Sequence, residues 1–133
     1  LLLFLFLTMT LANTFFTISV LHMLVLDNDR SAFYRFIYDQ LNVSGIALFC
    51  TIGNGEEESS SDISTAFELQ QRFHEATGEE LYIAGTSCRK VSFDSLKKEI
   101  SDNNLELIEI GLTSIMPDFP TVMFAIVKRK SGI

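Results

Sequence analysis

One histidine lies where a sheet protein commonly places chemistry. His22 follows an apolar stretch rich in β-forming residues and precedes the acidic residues Asp27 and Asp29. An imidazole titrates near neutral pH, so at this position it can orient a substrate or accept a proton from it. The structural alternative is a polar side chain that packs at a turn without any chemical role. We therefore take His22 as the candidate catalytic residue and keep both interpretations.

The other reactive residue types do not form a known motif. Cys50 and Cys88 lack the C-x-x-C spacing of a zinc site, and the chain holds only two histidines, so no metal site is expected. Cys50 lies in an apolar run, which predicts a reduced core cysteine. Gly53-x-Gly55 precedes three glutamates, whose charge would repel a phosphate, so a nucleotide-phosphate loop is not expected there.

Composition narrows the class of function further. The 133 residues are 47% hydrophobic and 20% charged, which is typical of one globular domain with a sizeable core. The formal net charge of −7 would be repelled by a phosphate backbone. We therefore expect no nucleic-acid partner.

The start of the chain allows two interpretations. Residues 1–26 contain no Asp, Glu, Lys or Arg, and this stretch is long enough to span a bilayer. It would then anchor an acidic interaction module in the membrane. Against this, polar residues interrupt the stretch and no Lys or Arg precedes it. The alternative is one or two strands buried on both faces of a parallel sheet, which read as continuous apolar runs.

Hydrophobic periodicity predicts alternating strands and helices over the rest of the chain. The expected elements in chain order are a strand over 15–20, a helix over 30–41, a strand over 46–52, a helix from 63 to 78, an extended segment over 81–85, a helix from 92 to 102, and strands over 105–110 and 121–127. Alternation implies parallel pairing by crossover, whereas the last two strands, joined by a proline turn, pair antiparallel. The expected class is α/β, with helices packed on a mixed sheet.

The order of these elements, together with two motifs, resembles the class I S-adenosylmethionine-dependent methyltransferases. Leu21-His22-Met23-Leu24 is similar to the turn that follows strand four of that family. Leu41 to Gly45 is similar to the turn that ends the next helix and begins strand five, with Gly45 able to take positive φ. The resemblance covers roughly residues 13–130. It implies a partial Rossmann-like sheet in the strand order 4-5-7-6, with the last strand antiparallel and with flanking helices.

The resemblance also implies a cofactor, a substrate class and a role for several residues. S-adenosylmethionine is the implied cofactor, with Ser19 and Val20 beside it at the end of strand four and His22 near the transferred methyl group. The implied substrate is a small molecule, covered by the insertion at residues 63–91. The substrate contacts implied by their position in that insertion are His74, Tyr82 and Arg89.

Two features of the family are missing from the sequence. The glycine-rich loop after strand one and the acidic residue after strand two are absent, and residues 1–12 contain no Gly, Asp or Glu that would supply them. We therefore divide the chain into an atypical apolar segment, residues 1–12, and the C-terminal half of a methyltransferase domain, residues 13–133. Truncation or a shifted reading frame would produce such a chain. We expect this half to be cytoplasmic, to be inactive alone, and to self-associate through strand four as an exposed edge.

Overall fold

A computed structural model describes residues 11–65, 68–84, 87–114 and 117–132 of the chain. Short 3-10 helices cover Leu21–Met23 and Ile63–Thr65. In chain order the other elements are β1 (Ala12–Ile18), α1 (Asp27–Gln40), β2 (Leu41–Ile52), β3 (Ser59–Ser60), β4 (Leu69–His74), β5 (Glu79–Ala84), β6 (Arg89–Lys90), α2 (Phe93–Asp102), β7 (Leu105–Thr113) and β8 (Val122–Arg129).

The main sheet has four strands in the order β1-β2-β8-β7. β1 and β2 are parallel because α1 forms the crossover between them. β8 is antiparallel to both of its neighbours, β2 and β7. The predicted strand order 4-5-7-6, with its antiparallel strand, is therefore confirmed, and so is the α/β class.

Both α-helices contribute to one buried core. Phe33, Tyr34 and Ile37 of α1 and Leu96 and Ile100 of α2 are buried in it. Alternate residues of the central strands face the same core, because successive side chains of a strand point to opposite faces. These core residues of the sheet are Ala47, Phe49, Met123, Ala125 and Val127.

The described part of the uncharged start belongs to the sheet. Residues 12–18 form β1 and residues 21–23 form a short 3-10 helix, so a single membrane helix over residues 1–26 is wrong for this part. In the described ranges, no helix combines the length and the apolar character that crossing a bilayer requires. The strand interpretation is confirmed, but burial on both faces is wrong: β1 is an edge strand, and Phe16 is 69% exposed.

The turn predicted at the end of the first helix is wrong. α1 ends at Gln40 and β2 begins at once with Leu41, so Gly45 lies inside a strand and outside the left-handed region. A Cβ atom on Gly45 would lie 2.8 Å from the carbonyl oxygen of Ala12. Glycine is therefore required here by the close approach of β1, and not by a turn.

The helix predicted from 63 to 78 is also wrong. Apart from the short 3-10 helix, the described part of this segment contains β4 and β5, which pair antiparallel as a hairpin. Gly78 ends the turn with φ 70°, and its amide donates to the carbonyl of His74 at 2.8 Å. Leu69 and Phe73 fit a period of two as well as one of four, and pairing with β5 decided between them. The helix was expected because Ile63, Ala66, Phe67 and Phe73 recur at helical spacing, and of these Ala66 and Phe67 lie outside the described residues.

The remaining elements agree with the predictions. The extended segment expected at 81–85 lies largely in β5, and the predicted helix over 30–41 appears as α1. The predicted helix from 92 to 102 appears as α2, and Ser92 caps it, since its hydroxyl accepts a hydrogen bond from the amide of Ser95 at 3.2 Å.

Candidate functional site

The candidate site is the loop after β1, at the carboxyl end of the parallel pair β1–β2. Open α/β sheets bind ligands at this end of their strands. Ser19 adopts a left-handed conformation with φ 60°, and its amide donates to the carbonyl of Cys50 at 3.0 Å. This bond extends the pairing with β2 by one residue. The chain then turns through Val20 into the 3-10 helix that carries His22.

The imidazole of His22 is half-buried, and its Nδ1 has no hydrogen-bond partner among the residues that the structure describes. Burial lowers the pKa of His22 below its ordinary value, so the ring is neutral near pH 7. Buried polar atoms are almost always paired, and each exception requires an explanation. Nδ1 is covered by protein atoms, so a ligand would meet the exposed part of the ring. One of the two nitrogens of a neutral imidazole is an acceptor.

A buried arginine holds the backbone on both sides of His22. Arg30 in α1 is 2% exposed, and its Nη1 donates to the carbonyl of Leu21 at 2.9 Å and to that of Leu24 at 3.0 Å. Its Nε and Nη2 donate to the two carboxylate oxygens of Glu99 in α2, each at 2.9 Å. The guanidinium therefore joins the His22 loop to both helices.

Tyr34 completes this cluster. Its hydroxyl donates to Oε2 of Glu99 at 2.7 Å. Burial, followed by the negative charge of Glu99, raises the pKa of Tyr34 well above its usual value, so the phenol remains protonated. Glu99 thus accepts hydrogen bonds from two residues of α1, and this fixes the helix against α2.

Sequence reasoning did not identify Arg30, although a signal was present. Arg30 shares one helical face with Phe33, Tyr34 and Ile37, all of which are buried. A charged residue on a core-facing stripe indicates a buried ion pair, because an unpaired charge is too costly to bury. The partner, Glu99, is 69 residues away in sequence, so no local pattern indicates it.

The structure brings Arg89 to the same loop. Its Nη1 donates to the carbonyl of Val25 at 2.8 Å and to Oδ1 of Asp27 at 2.6 Å. The hydrogen bond and the charge of Arg89 lower the pKa of Asp27. Next to it, the Ser87 hydroxyl donates to the carbonyl of Met23 at 3.0 Å. Arg89 and Arg30 both line a groove of about 310 Å³.

His74 and Tyr82 lie in the β4–β5 hairpin. Nδ1 of His74 accepts a hydrogen bond from the amide of Thr77 at 3.2 Å, so the ring contributes to the hairpin turn. Tyr82 is 68% exposed and lies opposite Gln71 in the neighbouring strand. These contacts are internal to the hairpin, and a substrate role for either residue stays a prediction.

The side chains present fit one wall of a cofactor site and not a whole cradle. Ser19, Val20 and His22 lie together at the end of β1, and Nδ1 of His22 is buried there without a hydrogen-bond partner among the described residues. The sequence offers no glycine-rich loop to bind the remainder of such a ligand. Within the described ranges, no group of three or more His, Cys, Asp and Glu residues is arranged to hold a metal ion.

Comparison with known proteins gives a structural likeness only. No protein-family model and no curated protein sequence matches this chain. Among solved structures, an S-adenosylmethionine-dependent methyltransferase from Clostridium acetobutylicum superposes with a TM-score of 0.63 at 10% identity, over 93% of this chain and 61% of its own. The glycopeptide N-methyltransferase MtfA, complexed with S-adenosylmethionine, gives 0.64 at 15% identity, over 95% and 57% respectively.

A third structure extends the likeness to another named enzyme. The 1,6-didemethyltoxoflavin-N1-methyltransferase of Burkholderia thailandensis gives a TM-score of 0.61 at 7% identity, over 87% of this chain and 44% of its own. The chain therefore has a partial class I methyltransferase fold. It spans between 44% and 61% of the length of these three structures.

Proposed function

We propose that residues 13–133 correspond to the C-terminal half of an S-adenosylmethionine-dependent methyltransferase domain that acts on a small molecule. The observation that carries the proposal is the sheet order β1-β2-β8-β7, with the parallel pair ending at the loop of Ser19 and His22. The solved structures that share this fold include complexes with S-adenosylmethionine and with sinefungin. Their additional length supports the proposal that a further half is required.

In this proposal the loop after β1 forms one wall of the cofactor site. Ser19 and Val20 lie beside the cofactor, and His22 faces the reacting centre. S-adenosylmethionine supplies the methyl group. Burial lowers the pKa of His22, so its imidazole is neutral and is able to accept the proton of an O–H or N–H group on the methyl acceptor. Most of the rate of such a transfer comes from holding the reacting groups in line.

Arg89 is the best supported of the three proposed substrate contacts. It binds the His22 loop through Val25 and Asp27, so it lies at the same end of the sheet as that loop.

A small-molecule substrate agrees with the glycopeptide and the toxoflavin precursor named for two of the neighbours. The net charge of −7 disfavours a nucleic acid. Cys50 and Cys88 are free thiols, and we propose the cytoplasm, where thiols stay reduced.

The proposal predicts weak, localised cofactor binding by this chain alone. Titration of S-adenosylmethionine into the ¹⁵N-labelled chain is expected to shift the amide signals of Ser19 to Leu24, with a dissociation constant in the millimolar range. Adenosine serves as the control, since it lacks the methionine portion that would meet this loop. Shifts elsewhere, or none at all, would contradict the proposed site. Micromolar affinity by calorimetry would contradict the proposal that the chain is incomplete.

A further inference from the structure

The edge strand β1 carries no side chain of the kinds that usually prevent pairing with another chain. It is the last strand of the sheet, and in the described residues its outer edge has no strand partner. Exposed edge strands commonly carry Lys, Pro or a bulge, which prevents them from pairing with another chain. The sequence of β1, Ala-Asn-Thr-Phe-Phe-Thr-Ile, contains no charge and no proline, and its register with β2 is irregular between Ala12 and Thr14 and regular from Thr14 to Ile18. Among the residues that the structure describes, the backbone N–H and C=O groups on its outer edge therefore have no strand partner.

The sheet face away from the helices is apolar near this edge. Phe15 contacts Phe36 of α1 with ring centroids 5.7 Å apart, so the alternating residues Phe16 and Ile18 point to the opposite face. They are 69% and 51% exposed. Phe16 lies beside Leu48 and Ile126 in register, and Ile18 lies beside Cys50 and Phe124.

Among the described residues, charged side chains border this apolar face on the side of β7 and not on the side of β1. Its rows end on β7 at Glu109 and Gly111, and the next row carries the ion pair between Lys128 and Glu106, 3.7 Å apart. Toward β1 the described residues provide no charged rim, and the face continues to the open edge. A partner that pairs with β1 would therefore cover the edge and meet this apolar surface at the same time.

We propose that a second copy of this chain pairs with β1, so that the two β1 strands run antiparallel about a twofold axis at Phe15. Directly opposite residues of an antiparallel pair share a face of the sheet. In this register Thr14 lies opposite the partner's Phe16, on the face away from the helices. Asn13 lies opposite the partner's Thr17 on the other face. All seven residues of β1 are used, and the two sheets become one of eight strands.

Charge favours a second copy at this edge over any other surface. Two identical chains of net charge −7 repel each other wherever their charged surfaces meet. Every charged residue lies in 27–133, so two copies of the chain that meet at β1 bring no charged side chains of that strand together. A twofold contact is self-complementary, as the proposed register is. This inference does not depend on methyl transfer, and its outcome does not bear on the cofactor test.

Sedimentation equilibrium tests the dimer directly. Over roughly a hundredfold range of concentration, we expect a species of twice the 15.0 kDa chain mass. Thr14→Lys with Phe16→Lys places like charges opposite each other and is expected to weaken dimerisation by at least about tenfold. The matched control is Ile108→Lys with Leu112→Lys on β7, where both residues are 50% exposed and the charge change is the same. This control is expected to remain dimeric.

Cross-linking tests the register without charged substitutions. In a Cys88→Ser background, a mixture of Thr14→Cys and Phe16→Cys chains is expected to form a disulfide-linked dimer, because opposite Cβ atoms lie about 4.5–5.5 Å apart. Ile108→Cys mixed with Thr14→Cys is the control and is expected to stay unlinked. A monomeric wild-type chain, equal dimerisation of both lysine variants, or equal cross-linking of both cysteine mixtures would overturn the proposal.

Discussion

Removal of the Arg30 side chain is expected to cost much of the stability of this fold. Arg30→Met removes a guanidinium from a site that is 2% exposed. Glu99 and the carbonyls of Leu21 and Leu24 then lose the hydrogen bonds that Arg30 donates to them. Breaking a buried ion pair from one side costs about 3–5 kcal/mol. Glu99 is 20% exposed and keeps its bond from Tyr34, which places the expected loss near the lower end, at about 3 kcal/mol.

A double-mutant cycle separates the interaction free energy of Arg30 and Glu99 from the effect of replacing each buried side chain. Glu99→Met leaves Arg30 buried without its carboxylate and is expected to cost about 3 kcal/mol. If the two side chains act as one unit, Arg30→Met combined with Glu99→Met costs little more than either alone, with a coupling free energy of about 2–3 kcal/mol. Urea unfolding followed by circular dichroism measures each free energy of unfolding.

If the two single losses add in the double variant, Arg30 and Glu99 do not stabilise the fold as a pair. Lys98→Met is the matched control, because Lys98 forms an exposed pair with Asp102 in the same helix. Exposed pairs contribute little, so no resolvable change is expected there. Amide exchange of Met23 and Leu24 should accelerate in the two variants that lack Arg30 and not in Glu99→Met or Lys98→Met, since only the loss of Arg30 removes the bonds to the His22 loop.

Three further predictions follow from single contacts. Burial places the folded-state pKa of His22 below its unfolded value, so the stability that His22 contributes is present above about pH 6.5 and is lost as the pH falls. The difference in melting temperature between wild type and His22→Gln should therefore change as the pH is lowered through about 6.5. A difference that stays constant with pH would contradict this. Gly45→Ala should destabilise by about 1–3 kcal/mol in urea, because its Cβ would lie 2.8 Å from the carbonyl oxygen of Ala12, whereas Val43→Ala, at a residue 81% exposed, should be neutral. Ser92→Ala should cost about 1 kcal/mol by loss of the α2 cap. Ser92→Thr should recover most of it, because its hydroxyl can still accept from the amide of Ser95 and donate to Glu58.

Local sequence patterns were sufficient to predict the elements whose apolar residues recur with a clear period. The strand at 46–52, the capped helix at 93–102 and the last two strands all have strong periodicity and clear ends. The order of the sheet came from the resemblance carried by the Leu21–Leu24 and Leu41–Gly45 motifs, and the structure confirms it. At Gly45 the motif was useful for identifying the fold, although the local geometry expected of it was wrong.

The hairpin was beyond local prediction because its residues satisfy two periods. Leu69 and Phe73 are four apart, which puts them on one face of a helix and also on one face of a strand. Pairing with Glu79–Ala84 decided between these possibilities, and that pairing lies outside any window of the β4 sequence.

Periodicity along the sequence was sufficient for the class of the fold and for the position of His22 after a strand, and the resemblance to a family supplied the order of the strands. Tertiary structure decided what surrounds that histidine. The bonds from Arg30 to the loop and to Glu99, and the position of Arg89 against Asp27, join residues between 6 and 69 positions apart. Only the packing of both helices on one face of the sheet brings such groups within hydrogen-bond distance.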